Sequence, residues 1–238
     1  MQPATHAVLF DFGGTLYDYR SLEPGDRESI AILAQELGIE ASEEEIRAAH
    51  RRGVRKAFER YLPEPYYLHR DFFLAGVAEM AKTFGVDVSL EQFTAYRERQ
   101  WGLQKRDFVL RPGVPETLKQ LRNRGLRLGI VSNIDRDQLD YMMGLAGIAG
   151  RFDWLLSSEE AGSCKPDQRI FEQALELAEC APGEALFVGD SIDQDIAGAR
   201  RTGIRSALLW YREDREPPAE RHRPDHVIRK IPDVLGLV

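Results

Sequence analysis

The chain has 238 residues, enough for one large domain or for a core carrying a smaller inserted one. Hydrophobic residues make up 43% and charged residues 30%, and the net charge is −7, so a folded core is expected and a general nucleic-acid binder, which needs a basic face, is not. Two cysteines, Cys164 and Cys180, supply no disulfide framework, the N-terminus has no secretory pattern, and no apolar stretch reaches the roughly 18 residues that span a bilayer, so a cytoplasmic protein with no membrane partner is expected.

The first apolar run, residues 7–12 (AVLFDF), reads as a buried strand that ends in Asp-x-Gly-Gly, a turn. From about Pro24 to Trp101 the pattern is helical. Ser42 with Glu45 forms a capping box that opens a helix reaching Tyr61, where Pro63 and Pro65 follow. A further helical pattern covers residues 66–84 and stops at Gly85, and Ser89 with Gln92 repeats the capping signature. After Pro112 short apolar runs alternate with helical patterns. The runs lie at 127–132, 153–156, 185–189 and 205–210, and the helical patterns at 113–124, 135–146, 167–179 and 193–202; residues 226–228 add a possible last strand. Strands alternating with helices indicate βαβ units. The predicted fold is α/β, a doubly wound parallel Rossmann-like sheet with an inserted all-helical domain; residues 1–18 plus 108–238 form the core and 19–107 the insert. The polar, proline-containing stretch 212–224 reads as a surface connection.

Ligands of open α/β sheets bind beyond the carboxyl ends of the strands. The first strand ends in Asp11, the second in Ser132-Asn133, the third leads to Lys165, and the fourth ends in Gly189-Asp190, with Asp195 five residues on. Two carboxylates brought together resist joint ionisation, and a divalent cation relieves the conflict. Mg²⁺ favours one or two carboxylates plus phosphate oxygens. A phosphoryl group can then bridge the cation, the Lys165 ammonium, the Ser132 hydroxyl and nearby backbone N–H groups while a carboxylate attacks phosphorus.

Asp11-Phe-Gly-Gly-Thr-Leu16 resembles the first motif of the haloacid-dehalogenase-like superfamily. LGIVSN ending at Asn133, Lys165-Pro166-Asp167 and Val188-Gly-Asp-Ser-Ile-Asp-Gln-Asp195 resemble the second, third and fourth, in that family's order. RPGVPETLKQL before the second motif and DIAGARRTGI after the fourth match as well. The resemblance implies a Mg²⁺-dependent phosphohydrolase that acts on a small phosphorylated metabolite through an aspartyl phosphate. It also implies that the insert is a C1-type cap, which closes over the site and helps choose the substrate. Carried over, Asp11 is the nucleophile and a metal ligand, Ser132 and Lys165 are catalytic, and Asp190 and the Gly13 carbonyl bind Mg²⁺. Gly14, Thr15 and Asn133 join Ser132 and Lys165 in binding substrate, and Asp195 supports the metal-and-lysine network.

One position departs from the pattern. Most phosphatases of the family have an acid–base Asp two residues after the nucleophile, where this chain has Gly13. A glycine keeps the carbonyl but not the proton donor, whose worth is typically about 10²–10⁴ in rate. The gap implies a restricted leaving group, a donor elsewhere (Asp18, His50 and His69 are the candidates), or a slow, regulatory member. It also raises phosphonatase-type C–P cleavage, with Lys56 as the Schiff-base candidate, and 2-haloacid dehalogenase-type C–halogen cleavage. Lys165 counts against the first, whose third motif usually lacks that lysine, and Asp190 against the second, whose fourth motif lacks that acid. Elsewhere in the insert, Arg47, Arg51, Arg52, Arg55, Lys56 and Arg60 read as a solvated helix face, and Tyr66, Tyr67, Phe72 and Phe73 as its core. Tyr17 and Arg20 are candidates for specificity.

Overall fold

The computed structural model describes residues 4–211 and 223–238, so most of the connection read at 212–224 lies outside the described residues. The chain divides into two compact units: Met1–Asp18 with Val109–Val238, and Tyr19–Phe108. The helices in chain order are α1 (Glu23–Glu36), α2 (Glu43–Tyr61), α3 (His69–Thr83), α4 (Leu90–Asp107), α5 (Val114–Asn123), α6 (Arg136–Ala146), α7 (Ser158–Ala161), α8 (Gln168–Ala178) and α9 (Ala197–Arg201). Among the described residues none is long and apolar enough to cross a membrane.

The first unit is built on a six-stranded sheet. Its strands are β1 (Ala7–Phe10), β2 (Arg127–Ser132), β3 (Trp154–Ser157), β4 (Ala185–Gly189), β5 (Arg205–Leu209) and β6 (His226–Ile228), in the order β3-β2-β1-β4-β5-β6. Every neighbouring pair is parallel. A parallel sheet covered on both faces needs strands that are apolar throughout rather than alternating, and all residues of β1 and β4 are buried. Strand order reverses at β1, which lies between β2 and β4. Phe10 stands level with Ile130 of β2 and Val188 of β4. Asp11, Ser132 and Asp190 therefore leave the sheet within two residues of a common level, at the switch point.

Expected boundaries move at β1, at β3 and ahead of α9. β1 stops at Phe10 rather than residue 12, although the Asp11 N–H still donates to Val188 O at 2.9 Å. Beyond it the chain turns, with Leu16 N–H on Phe12 O at 2.9 Å, so Phe12 is buried in a turn and not in the strand. β3 runs one residue later than expected, because the Asp153 carboxylate accepts from Leu128 N–H at 2.8 Å and Ser157 both pairs with Ser132 and caps α7. The helix expected at 193–202 opens with a π-helical segment, Ile192–Ile196, before α9. There the Ile196 N–H reaches back five residues to Ser191 O, at 3.1 Å.

The second unit is helical. Ser42 and Ser89 accept from the backbone N–H of Glu45 and Gln92, whose side chains return to the cap N–H, so both capping boxes form. Ile30, Leu33, Ile46, Val77, Met80, Phe93 and Tyr96 are buried together. α2 and α3 approach closely at Gly53, where a Cβ would lie 2.1 Å from the Gly76 carbonyl oxygen. Phe72 is buried as expected, but Tyr66 is 38% exposed, because α3 begins only at His69 and residue 66 precedes it in the non-helical stretch after Pro65.

Candidate active site

Asp11 is oriented from three sides. Lys165 Nζ donates to its Oδ1 at 2.7 Å and Ser132 Oγ donates to the same oxygen at 3.2 Å. Thr15 Oγ1, on the turn after β1, donates to Oδ2 at 2.9 Å. Lys165 Nζ also donates to Asp195 Oδ1 at 2.7 Å. The side chains of Lys165, Asp195 and Asp11 are only 1%, 1% and 9% exposed. Burial alone would lower the Lys165 pKa, but Asp11 and Asp195 outweigh it and hold the ammonium above its ordinary range.

The lysine itself is clasped. Asn133 Oδ1 accepts from the Lys165 backbone N–H at 2.7 Å, and Asn133 Nδ2 donates to the Lys165 carbonyl at 2.9 Å. Both polar atoms of the Asn133 amide are thereby engaged with the Lys165 backbone. The Asn133 side chain thus fixes the segment that carries the ammonium.

The π-helical segment explains Asp195. Its Oδ2 accepts from the Ser191 N–H at 2.9 Å, and it lies against Gly189, where a Cβ would be 2.3 Å from that oxygen. Asp190 stands over the turn after β1 in the same way. Gly14 has φ +83°, and a Cβ there would lie 2.4 Å from Asp190 Oδ2, so this position requires glycine both for its backbone and for its neighbour. Burial raises the pKa of the Asp190 carboxyl, and repulsion from Asp11 and then Asp195 adds to it. Asp195 is raised by burial as well, against the pull of Lys165.

One ammonium cannot balance three clustered carboxylates. Oxygens of Asp11, Asp190 and Asp195 lie within 4.8 Å of one another, a hard-oxygen set that suits a divalent cation. Donors reach both oxygens of Asp195 and both oxygens of Asp11, so hydrogen bonding alone does not choose among the three, and all three carboxylates qualify by their spacing.

The structure thus gathers Asp11, Thr15, Ser132, Lys165, Asp190 and Asp195, with Gly14 beneath Asp190. Gly13 lies in the turn and forms an isolated bridge with Tyr17, which is buried with its ring against Phe12. Cys164 is buried. Lys56 is exposed and paired with Glu79 at 2.7 Å. Arg111 opens the stretch RPGVPETLKQL but was not among the expected site residues; its guanidinium donates to the Gly14 carbonyl.

A family model described as haloacid dehalogenase-like hydrolase matches residues 5–203. Haloacid dehalogenase-like hydrolase domain-containing protein 3 of Bos taurus is 40% identical over 124 residues, 52% of this chain and 49% of that protein; the chain spans about half the length of this relative. A glyceraldehyde 3-phosphate phosphatase of Methanothermobacter thermautotrophicus is 31% identical over 232 residues, 97% of this chain and 94% of that protein. The crystal structure of a HAD phosphatase from Thermococcus onnurineus superposes with a TM-score of 0.72 at 27% identity, covering 98% of this chain and 97% of that one.

Proposed function

The chain belongs to the haloacid dehalogenase-like hydrolases, and we propose that it is a phosphohydrolase that takes the phosphoryl group of a small phosphorylated metabolite onto Asp11. The observation that carries this reading is the fixed Asp11 carboxylate, bonded to the Lys165 ammonium and to two hydroxyls. The phosphatase relatives that align over nearly the whole chain support the same class.

In this mechanism an Asp11 oxygen attacks phosphorus as the bond from phosphorus to the leaving oxygen breaks. The leaving oxygen acquires a proton and departs as an alcohol or acid. Water then attacks phosphorus, the bond to Asp11 breaks, and inorganic phosphate leaves with the carboxylate restored. Lys165 offsets the charge gathered on Asp11 and the phosphoryl oxygens, and Ser132 offers a hydroxyl to one of those oxygens. Asp195 holds Lys165 from behind, and the Asn133 amide holds its backbone. Mg²⁺ held by Asp11, Asp190 and the Gly13 carbonyl would supply the positive charge that brings an anionic substrate against an anionic nucleophile.

Gly13 narrows the substrate. With no carboxyl there to protonate the leaving oxygen, esters and anhydrides of acidic leaving groups are favoured over simple alkyl phosphates. The test measures phosphate release from aryl, acyl and alkyl phosphates, with Mg²⁺ and with excess chelator. The expected result is turnover that needs Mg²⁺ and falls as the leaving group becomes more basic. Full activity in chelator, or halide release from a 2-haloacid with no phosphate release, would overturn the reading.

A further inference from the structure

Arg111 has no part in the chemistry above, yet it grips the turn that carries it. Its Nε and Nη2 both donate to one acceptor, the Gly14 carbonyl oxygen, at 3.0 and 2.8 Å. Nη1 faces Asp18 Oδ2 at 3.5 Å, and the guanidinium lies over the Tyr211 ring, 4.4 Å from its centroid. The side chain is only 13% exposed. The Arg111 backbone N–H adds a bond to Leu16 O at 2.8 Å, so one residue holds the turn after the nucleophile at two points.

A guanidinium fork ordinarily serves a carboxylate or a phosphate. Spending two of its donors on a single neutral carbonyl calls for a reason. The Gly14 carbonyl belongs to the peptide that ends in the Thr15 N–H. Gly14 Cα packs beneath the Asp190 carboxylate, and the Thr15 hydroxyl orients Asp11. That peptide therefore ties the nucleophile to the carboxylate facing it. Charge-assisted bonds to a carbonyl oxygen fix the peptide plane and polarise it, which strengthens the N–H at its other end as a donor.

We propose that Arg111 is a positioning residue for phosphoryl transfer: it locks the Gly14–Thr15 peptide between Asp11 and Asp190 and strengthens the Thr15 N–H as a donor to the phosphoryl oxygen. The second half rests on the phosphohydrolase reading; the clamp itself does not. Arg111 touches none of the reacting groups: it acts through this peptide, with its charge felt at the Asp190 carboxyl as well. Its loss should therefore lower kcat and leave KM nearly unchanged, whereas loss of a substrate contact would raise KM.

The experiment compares wild type, Arg111→Met and Arg111→Lys by steady-state turnover of an aryl phosphate with Mg²⁺, by thermal unfolding, and by the Thr15 amide resonance in NMR. For Arg111→Met, kcat should fall about 10–100-fold, less than loss of a direct oxyanion donor at its upper end, with KM within about twofold. The Thr15 amide proton should move upfield. Arg111→Lys, which keeps the charge but not the fork, should fall between. An unchanged kcat in folded Arg111→Met, a rise in KM alone, or an unmoved Thr15 amide would overturn the proposal. If Arg111→Met does not fold, Arg111→Lys carries the same three readouts. Wild-type protein that turns over no phosphomonoester would sink the phosphohydrolase reading, while the Thr15 resonance would still decide whether the clamp exists.

Discussion

The two units of this chain treat charge in opposite ways. In the sheet unit Lys165, Asp11 and Asp195 are almost wholly buried, with the ammonium bonded to both acids. In the helical unit the ion pairs Arg27–Glu23, Lys56–Glu79 and Arg106–Glu28 lie at the surface. In the helical unit the half-buried Asp26 is met by the neutral amides of Gln100 and Gln104, at 3.0 and 2.9 Å, and partial burial raises its pKa. Burying ions costs several kcal/mol each, and a well-packed apolar cluster would often serve stability as well or better. The helical unit follows that economy, as any small helical bundle can. The sheet unit departs from it at the carboxyl ends of β1, β2 and β4, where the cost has a chemical use.

The sharpest way to break this contrast is to remove one cation from each unit. Lys165→Met leaves Asp11 and Asp195 buried without their counter-ion and should destabilise the sheet unit by about 3–5 kcal/mol at neutral pH, read from denaturant unfolding. Lys56→Met removes one partner of an exposed pair and should leave the melting temperature where it was. Equal effects from the two substitutions would show that the buried cluster is no more than ordinary surface electrostatics.

A smaller effect should come from packing in the helical unit. Gly53→Ala places a Cβ 2.1 Å from the Gly76 carbonyl oxygen, a backbone atom that yields only if α2 and α3 separate. A loss of about 2–3 kcal/mol is expected, read as faster hydrogen exchange of α2 and α3 amides. Unchanged protection would mean that the two helices have room to part.

The smallest effect is a titration. Burial, with help from Arg51, pushes the His50 pKa down to about 4. The unfolded chain, with His near 6.5, then takes up the proton before the folded one does. His50 therefore carries no penalty above pH 6.5, and stability is lost as pH falls from there toward 4. Between pH 7 and pH 5 the wild type should lose about 1–2 kcal/mol more than His50→Gln in urea unfolding. Identical pH dependence in the two proteins would place His50 in contact with water.

The sequence showed the sheet more clearly than the turns between its strands. β2 and β4 announce themselves because a strand covered on both faces is an unbroken apolar run with polar residues at its ends. The same rule overran β1, since Phe12 continues the apolar pattern after the backbone has turned. The π-helical segment left no trace, because one wide turn has no period to detect. Asp11, Ser132 and Asp190 were legible as polar residues ending apolar runs. The tasks of Asn133 and Arg111 were not: each acts on a backbone group that is distant in sequence, and only the folded chain shows which carbonyl it meets.

The central claim is that Asp11 is the nucleophile, and Asp11→Asn tests it most directly. The amide keeps the shape but is neither a nucleophile nor an anionic ligand. With folding verified by circular dichroism, phosphate release by Asp11→Asn in Mg²⁺ should fall by about 10³-fold or more from the wild-type rate. Release near the wild-type rate from the folded variant would contradict the account.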